Sequence, residues 1–328
     1  MSNSPSIAFV SDPHLSQDRP FFQFNWEILL DELSQRPPEL VIVGGDITLD
    51  GASNAADLQF ARQQLDRLPC PWLAVPGNHD IGDLATSAHV VSRVTEAHRN
   101  SYLDAIGKDF WSFDFGNWRL VGLNSMIFGS GLPSEAEQEA FLEQAILDAG
   151  TRQVAVLSHI AVCDNALSEV DYTGWFMPEE TRTMLGRYIN GGKIQLFLSG
   201  DMHQSRDRTI DGVRYIWASS TAFVTDMMEE WRPKFGGRKR VGWTELQLGG
   251  EVSAQVHEPR RMVDFDLGNW VQDGAALYYE FARGSRFTGF GSAKDTAAQA
   301  PTLPQGRDIR FFGASLSEHL ENRTEYEV

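Results

Sequence analysis

Disulfide chemistry, basic charge and long apolar runs are all scarce in this 328-residue chain. Its two cysteines, Cys70 and Cys163, are too few for a disulfide framework, so both read as free thiols in a reducing compartment. Lys and Arg number 28 against 45 Asp and Glu, which gives a formal net charge of -17 and a pI near 4.8. Such a surface repels polyphosphate and argues against duplex nucleic acid as a partner. The one dense basic run, Lys234 to Arg240, reads as a solvated loop. No apolar run approaches the roughly 20 residues of a membrane span. Met1 to Ser6 has neither the basic nor the apolar region of a secretory signal, so the expectation is a cytoplasmic protein without a membrane span. The 42% hydrophobic content is ample for one large domain or two small ones.

What the chain does have is a recurring design in which a short apolar strand opens onto polar residues. Pro71 to Val75 runs into Pro76-Gly77-Asn78-His79-Asp80. Ile7 to Ser11 opens onto Asp12-Pro13-His14, and Leu40 to Val43 onto Gly44-Gly45-Asp46. Ile194 to Leu198 opens onto Ser199-Gly200-Asp201-Met202-His203, and Gln153 to Leu157 ends in Ser158-His159. Open α/β sheets keep their sites at such strand ends. Singly, each motif has a plain reading: turns at Asp12 and Asp46, a helix cap at Asn78, a core histidine at His159. Their coincidence at strand ends points to one metal centre.

Periodicity supplies the framework. Helical apolar spacing covers Phe22 to Gln35 (Phe24, Ile28, Leu29, Leu33) and Ala55 to Leu68, and the β-α-β order predicts a parallel sheet packed by helices. Residues 84–106 read as a polar, mainly helical insertion beside the mouth of the site, with His89 and His98 on its surface. Phe110 to Phe115 and Arg119 to Asn124 flank Gly116-Asn117 as a hairpin. Ser134 to Ala149 reads as a helix with Ser134 as N-cap and Glu137 as its capping-box partner. From Arg208 the chain is strand-rich. The expected fold is α/β, two stacked mixed β-sheets flanked by helices, as a domain over 1–258 with a C-terminal extension over 259–328. The extension is a candidate lid or homo-oligomerisation element.

Asp12, His14, Asp46, Asn78, His159, Asp201 and His203 offer three carboxylates, one amide oxygen and three imidazoles. That exceeds the need of one four-coordinate ion and suits two divalent ions sharing a carboxylate. A mixed O/N set without cysteine favours Mn or Fe and admits Zn, Co, Ni or Mg. Two such ions can each take a phosphoryl oxygen and hold a hydroxide between them, which suits hydrolysis of a phosphate ester.

The ordered set Asp12-Pro13-His14, Gly45-Asp46, Gly77-Asn78-His79-Asp80, His159 and Gly200-Asp201-Met202-His203 resembles the five motifs of the calcineurin-like metallophosphoesterases, most closely their bacterial cyclic-nucleotide phosphodiesterase-like branch. The resemblance implies an α-β-β-α sandwich. It implies that Asp12, His14 and His203 hold one metal, that Asp46 bridges, and that Asn78 and His159 hold the second. His79 would donate a proton or hydrogen bond to the ester, with Asp80 orienting its other ring nitrogen. Asp201 departs from the pattern, since the family usually has histidine there; it is still a competent ligand, harder and anionic. With two divalent ions, three carboxylates leave a net charge of about +1 where a histidine would leave about +2, which favours a phosphodiester monoanion over a monoester dianion.

The expected activity is therefore a binuclear phosphodiesterase acting on a small ester, such as a cyclic nucleotide or glycerophosphodiester. The alternatives are a phosphomonoesterase (protein phosphatase or nucleotidase) and a non-catalytic scaffold. Asp164, Asn165, Asp171, Tyr172 and Trp175, just beyond His159, are the candidate substrate wall, with Phe21, Phe22 and Phe24 opposite. Asp50 is read as hydrogen-bonding within its own loop. Ile160 stands where this branch often has a second histidine, which weakens a specific claim for cyclic AMP.

Overall fold

The computed structural model describes residues 6–87, 92–169, 175–224 and 237–266, with the backbone of 310–311 and 314–315. The chain runs β1 (Ser6–Val10), α1 (Gln23–Gln35), β2 (Leu40–Val43), α2 (Ala55–Leu65), β3 (Trp72–Ala74), the single-turn α3 (Asn78–Ile81), α4 (Glu96–Ala105), β4 (Trp111–Phe115), β5 (Trp118–Gly122), α5 (Pro133–Asp148) and β6 (Gln153–Ser158). There follow α6 (Glu179–Asn190), β7 (Ile194–Ser199), β8 (Arg206–Ile210), β9 (Val213–Trp217), β10 (Phe223–Val224), β11 (Trp243–Leu248), β12 (Val252–His257) and β13 (Phe265–Asp266). A short antiparallel pair, β14 (Arg310–Phe311) and β15 (Ala314–Ser315), lies apart in sequence.

The strands form one sheet in the order β12-β11-β1-β2-β3 and a second in the order β4-β5-β6-β7-β9-β8. β1, β2 and β3 are mutually parallel, as are β5, β6, β7 and β9, so the carboxyl ends of each set share one edge of their sheet. The strand alternation builds the layers. Ile7, Phe9, Leu40 and Ile42 pack with Leu120, Leu157, Leu196 and Leu198 of the other sheet. The intervening Ala8, Val10, Val41 and Val43 pack instead with Trp26, Leu29, Leu33, Leu58 and Leu65 of α1 and α2. Each such fully buried Val, Leu, Ile or Phe side chain contributes about 1.5–3 kcal/mol. The result is the expected pair of stacked sheets with helices outside.

Local expectations fail where a neighbour competes. Phe24 is 57% exposed and Trp26, at 1%, takes the inward face of α1. Pro133, whose ring suits the first helical position, starts α5 one residue before Ser134, so Ser134 is not its cap. Glu135, rather than Glu137, accepts from the Gly129 and Gly131 N–H groups. Of the insertion over 84–106, only α4 is helical among the described residues, capped by Thr95 accepting from His98 N at 3.1 Å. His98 is half-buried and donates from Nδ1 to the Ile81 carbonyl at 3.2 Å; His89 lies outside the described residues.

The chain stays bound to the body beyond the boundary expected at residue 258. Asn25 of α1 accepts from Val263 N (2.8 Å) and donates to the Val263 carbonyl (2.9 Å), and β13 pairs with β10. Most of the extension after Asp266 lies outside the described residues. No helix among the described residues is long and apolar enough to cross a membrane.

Candidate metal centre

The backbone leaves its ordinary range where the motifs lie. Among the described residues, six that are not glycine have positive φ, and five of these are Asp12 (52°), His14 (45°), Asp46 (47°), Asp201 (65°) and His203 (50°). The sixth, Asp211, sits in the tight turn between β8 and β9. Left-handed backbone at a non-glycine residue costs about 1 kcal/mol or more and persists only where its surroundings hold it, so this concentration marks a built site. Hydrogen bonds between neighbouring strand exits supply the hold: Asp12 N donates to Gly45 O (3.1 Å), His14 N to Asp46 O (3.0 Å) and Gly200 N to His159 O (3.0 Å). Close approach also requires glycine. A Cβ on Gly45, whose φ is +95°, would stand 2.5 Å from His159 Nδ1, and one on Gly77 2.2 Å from Asp46 Oδ1.

These constraints bring all seven sequence-predicted ligands together. His14 Nε2 lies 3.3 Å from His203 Nε2, which is 3.4 Å from Asp12 Oδ1. Beside them, His159 Nε2 lies 3.2 Å from Asn78 Oδ1, 3.3 Å from Asp46 Oδ1 and 3.7 Å from Asp201 Oδ1. Asp46 spans the two groups, since its other oxygen, Oδ2, is 3.7 Å from His14 Nε2. With metal–ligand bonds of about 2.1 Å, neighbouring donors in a tetrahedral or octahedral shell stand about 3.0–3.4 Å apart, which matches most of these spacings. The donor types and distances therefore fit two divalent cations sharing Asp46.

Tautomers agree with that fit. His203 donates from Nδ1 to the Phe223 carbonyl (2.8 Å) and His159 from Nδ1 to the Gly44 carbonyl (2.7 Å), so each ring aims Nε2 into the cluster. The Asn78 amide is turned the same way, because its Nδ2 donates to Asp83 Oδ1 (3.3 Å) and its oxygen is left facing His159. Burial holds His203 down to about 4 and His14 well below the usual imidazole range, so both are neutral at pH 7 and able to ligate. Burial pushes Asp12 well above the usual carboxylate range despite the His159 imidazole, with Asp46 adding to the rise. Burial would also raise Asp46, but His159, His79 and His14 outweigh it and hold the carboxyl low. His159 is raised although burial opposes this, because Asp46, Asp12 and Asp201 attract its proton. A buried knot of carboxylates with this field favours cations.

His79 lies at the inner edge. Its ring packs edge-on against His14 with centroids 4.6 Å apart, and its Nε2 is 3.9 Å from Asp46 Oδ2. The expected support from Asp80 is corrected by the structure. His79 Nδ1 donates to the Leu49 carbonyl (2.7 Å). The Asp80 carboxylate is spent elsewhere, on Thr48 N (2.8 Å), Thr48 Oγ1 (2.7 Å), Ile47 N (3.2 Å) and Gly77 N (2.8 Å). Four donors use its acceptor capacity, so Asp80 clamps the loops after β2 and β3 rather than the imidazole.

The expected substrate wall divides. Trp175 lines the depression over the cluster with Leu84, Ser87, Asp83 and Ile160, and no Lys or Arg does so among the described residues. Asp164 and Asn165 turn away from it: the Asp164 carboxylate accepts from Arg206 (2.8 Å) and Arg208 (3.4 Å), and Asn165 Oδ1 accepts from Arg208 (3.0 Å). Arg206 also stacks over Trp217 at 4.9 Å. These two residues pin the loop after β6 to β8. Asp171 and Tyr172 lie outside the described residues. Phe22 and Phe21 are buried, so Phe22 backs His14 (6.4 Å between centroids) instead of forming an open wall. Asp50 pairs with Arg19 at 3.2 Å. Sequence reasoning missed Asp83 and Arg206, whose value lies in contacts that no local pattern announces.

The model of the family described as calcineurin-like phosphoesterase matches residues 5–205. A probable cyclic nucleotide phosphodiesterase of Synechococcus sp. is 25% identical over 231 residues, 69% of this chain and 78% of that protein. A 3',5'-cyclic adenosine monophosphate phosphodiesterase of Pseudomonas aeruginosa is 28% identical over 200 residues, 60% of this chain and 66% of that one. In fold, the chain is similar to a dimetal phosphatase from Danio rerio, with TM-score 0.56 at 12% identity over 80% of this chain and 98% of that structure. With its motifs at the strand exits of two stacked sheets, the chain belongs to the calcineurin-like phosphoesterase family and is a metal-dependent phosphoester hydrolase.

Proposed function

We propose that the protein hydrolyses a small phosphodiester with two divalent cations, in the manner of the bacterial phosphodiesterases it is similar to. The observation that carries this reading is the division of Asp46, one oxygen facing His159 and the other His14. When bound, the two cations supply charge neutralisation at the phosphoryl oxygens and activation of the attacking water. The residues of the chain do the rest. Asp12, His14 and His203 would hold one cation, Asn78, His159 and Asp201 the other, with Asp46 shared between them. His79, steadied at Nδ1 by Leu49, presents Nε2 to the leaving ester oxygen and donates a proton or hydrogen bond there. Trp175 offers a flat apolar face for a base or an alkyl ester group.

The preference for a diester rests on charge. Asp12, Asp46 and Asp201 reduce two divalent cations to about +1, and Asp83 adds another carboxylate at a mouth without described basic residues. A monoanionic diester matches that field, whereas a monoester dianion exceeds it. The test compares aryl phosphate mono- and diesters on wild type and Asp201→His. The wild type should favour the diester, and the substitution should move the ratio of kcat/KM about tenfold towards the monoester, the effect of one charge at short range. An unmoved ratio would remove the charge argument.

A further inference from the structure

The segment 218–224, between β9 and the end of β10, contributes no candidate ligand, yet it touches all three residues of the Asp12–His14–His203 group. Ser220 Oγ donates to the Asp12 carbonyl (2.9 Å) and accepts from Ala222 N (3.0 Å) and Phe223 N (3.3 Å). The Phe223 carbonyl accepts from His203 Nδ1 at 2.8 Å. The Phe223 ring lies against His203 and His14, with centroids 4.2 and 4.8 Å away. What places this segment is Asn25 on α1: its Nδ2 donates both to the Ala222 carbonyl (3.1 Å) and to the Val263 carbonyl (2.9 Å). Asn25 and Ser220 are each 0% exposed.

The geometry points to Ser220 and Asn25 as positioning residues for the first cation: Ser220 fixes the left-handed Asp12, and Asn25 fixes the Ala222 carbonyl, one residue before the Phe223 carbonyl that sets the His203 tautomer. This rests on the reading of Asp12, His14 and His203 as cation ligands. With its Oδ1 also accepting from Val263 N (2.8 Å), this buried amide has three bonds made and is a rigid joint between α1, the 218–224 segment and the chain leading to β13. Both His203 and Asp12 need it. The His203 ring can offer Nε2 only while Nδ1–H has an acceptor, and Asp12 holds a φ of 52° that relaxes once its carbonyl is released. The second group is supported differently, His159 by the Gly44 carbonyl and Asn78 by Asp83.

The experiment measures Mn2+ binding to the full chain by chelator competition, in wild type, Ser220→Ala, Asn25→Asp and the core variant Leu33→Ala. Asn25→Asp keeps the acceptor used by Val263 N and removes the donor to Ala222, so it reads the same joint should Ser220→Ala fail to fold. The proposal expects one of two Mn2+ dissociation constants to weaken by about 10–100-fold in either site variant, with the other unchanged. Leu33→Ala should lower the melting temperature and leave both constants in place. Both constants unchanged in the site variants, or both weakened equally, would overturn the proposal. The wild-type count is a separate readout: fewer than two Mn2+ bound would overturn the two-cation reading itself, whatever the variants do.

Discussion

The two halves of the centre are made of different chemistry and sit in different surroundings. Asp12, His14 and His203 are buried and backed by Phe223 and Phe22, whereas Asp201 is partly exposed and the second group opens onto the depression lined by Trp175 and Ile160. The first half is nitrogen-richer and enclosed. The second offers oxygens from Asn78 and Asp201 with one imidazole, and Asn78 and Asp201 line the depression, with His203 of the first half at its edge. The difference teaches that, on the proposed reading, the enclosed half would anchor while the more open half would meet the ester, with Asp46 between them.

Removing the joining residue has the largest expected effect. Asp46→Ala should release both cations and lower kcat by about 10⁴-fold, as expected for the loss of the main electrostatic stabilisation; metal analysis alongside turnover checks it. Retention of one tightly held cation would show that the halves are independent. His79→Ala should lower kcat by about 10²-fold with cation content unchanged if, as proposed, its Nε2 acts on the ester rather than on a metal. If the cations leave with it, His79 is a ligand.

Smaller effects sharpen the comparison through the loops behind each half. Arg206→Ala leaves the buried Asp164 carboxylate, in the loop after His159, with only the longer Arg208 contact (3.4 Å) and should cost about 1–3 kcal/mol in urea unfolding, with the KM for ester rising more than kcat falls. On the enclosed side, Asp57 accepts from Ser16 Oγ (2.8 Å), two residues after His14, and burial pushes its carboxyl up to about 6, partly offset by Ser16 and Arg19. A group raised in the fold is protonated there before it is protonated in the unfolded chain. The fold therefore loses stability as pH rises from about 4 to 6 and does not regain it above. Asp57→Asn should then raise stability by up to about 3 kcal/mol at pH 8 and leave it nearly unchanged at pH 4, as measured by thermal unfolding at both.

The convergence of the candidate ligands was legible in the sequence because each follows an apolar strand, and parallel strands bring their carboxyl ends to one edge. The sandwich was legible for the same reason, since alternating residues such as Ile7 and Ala8 serve different layers. Other features arise from pairings remote in sequence. Asn25 meets Ala222 across 197 positions and Ser220 meets Asp12 across 208, so neither leaves a local trace. Asp164 looked like a pocket residue because its partner Arg206 is 42 positions away. Asp80 looked like a support for His79 because it is adjacent in sequence, but its carboxylate turns back to Thr48 and Gly77. Phe24 matched helical spacing as well as Trp26 did, and only packing against the sheet separates them.

The most direct test is diffraction at the manganese edge from crystals grown with Mn2+. The account predicts two anomalous peaks on either side of Asp46, one among Asp12, His14 and His203 and the other among Asn78, His159 and Asp201. A single peak, or two that do not share Asp46, would contradict it.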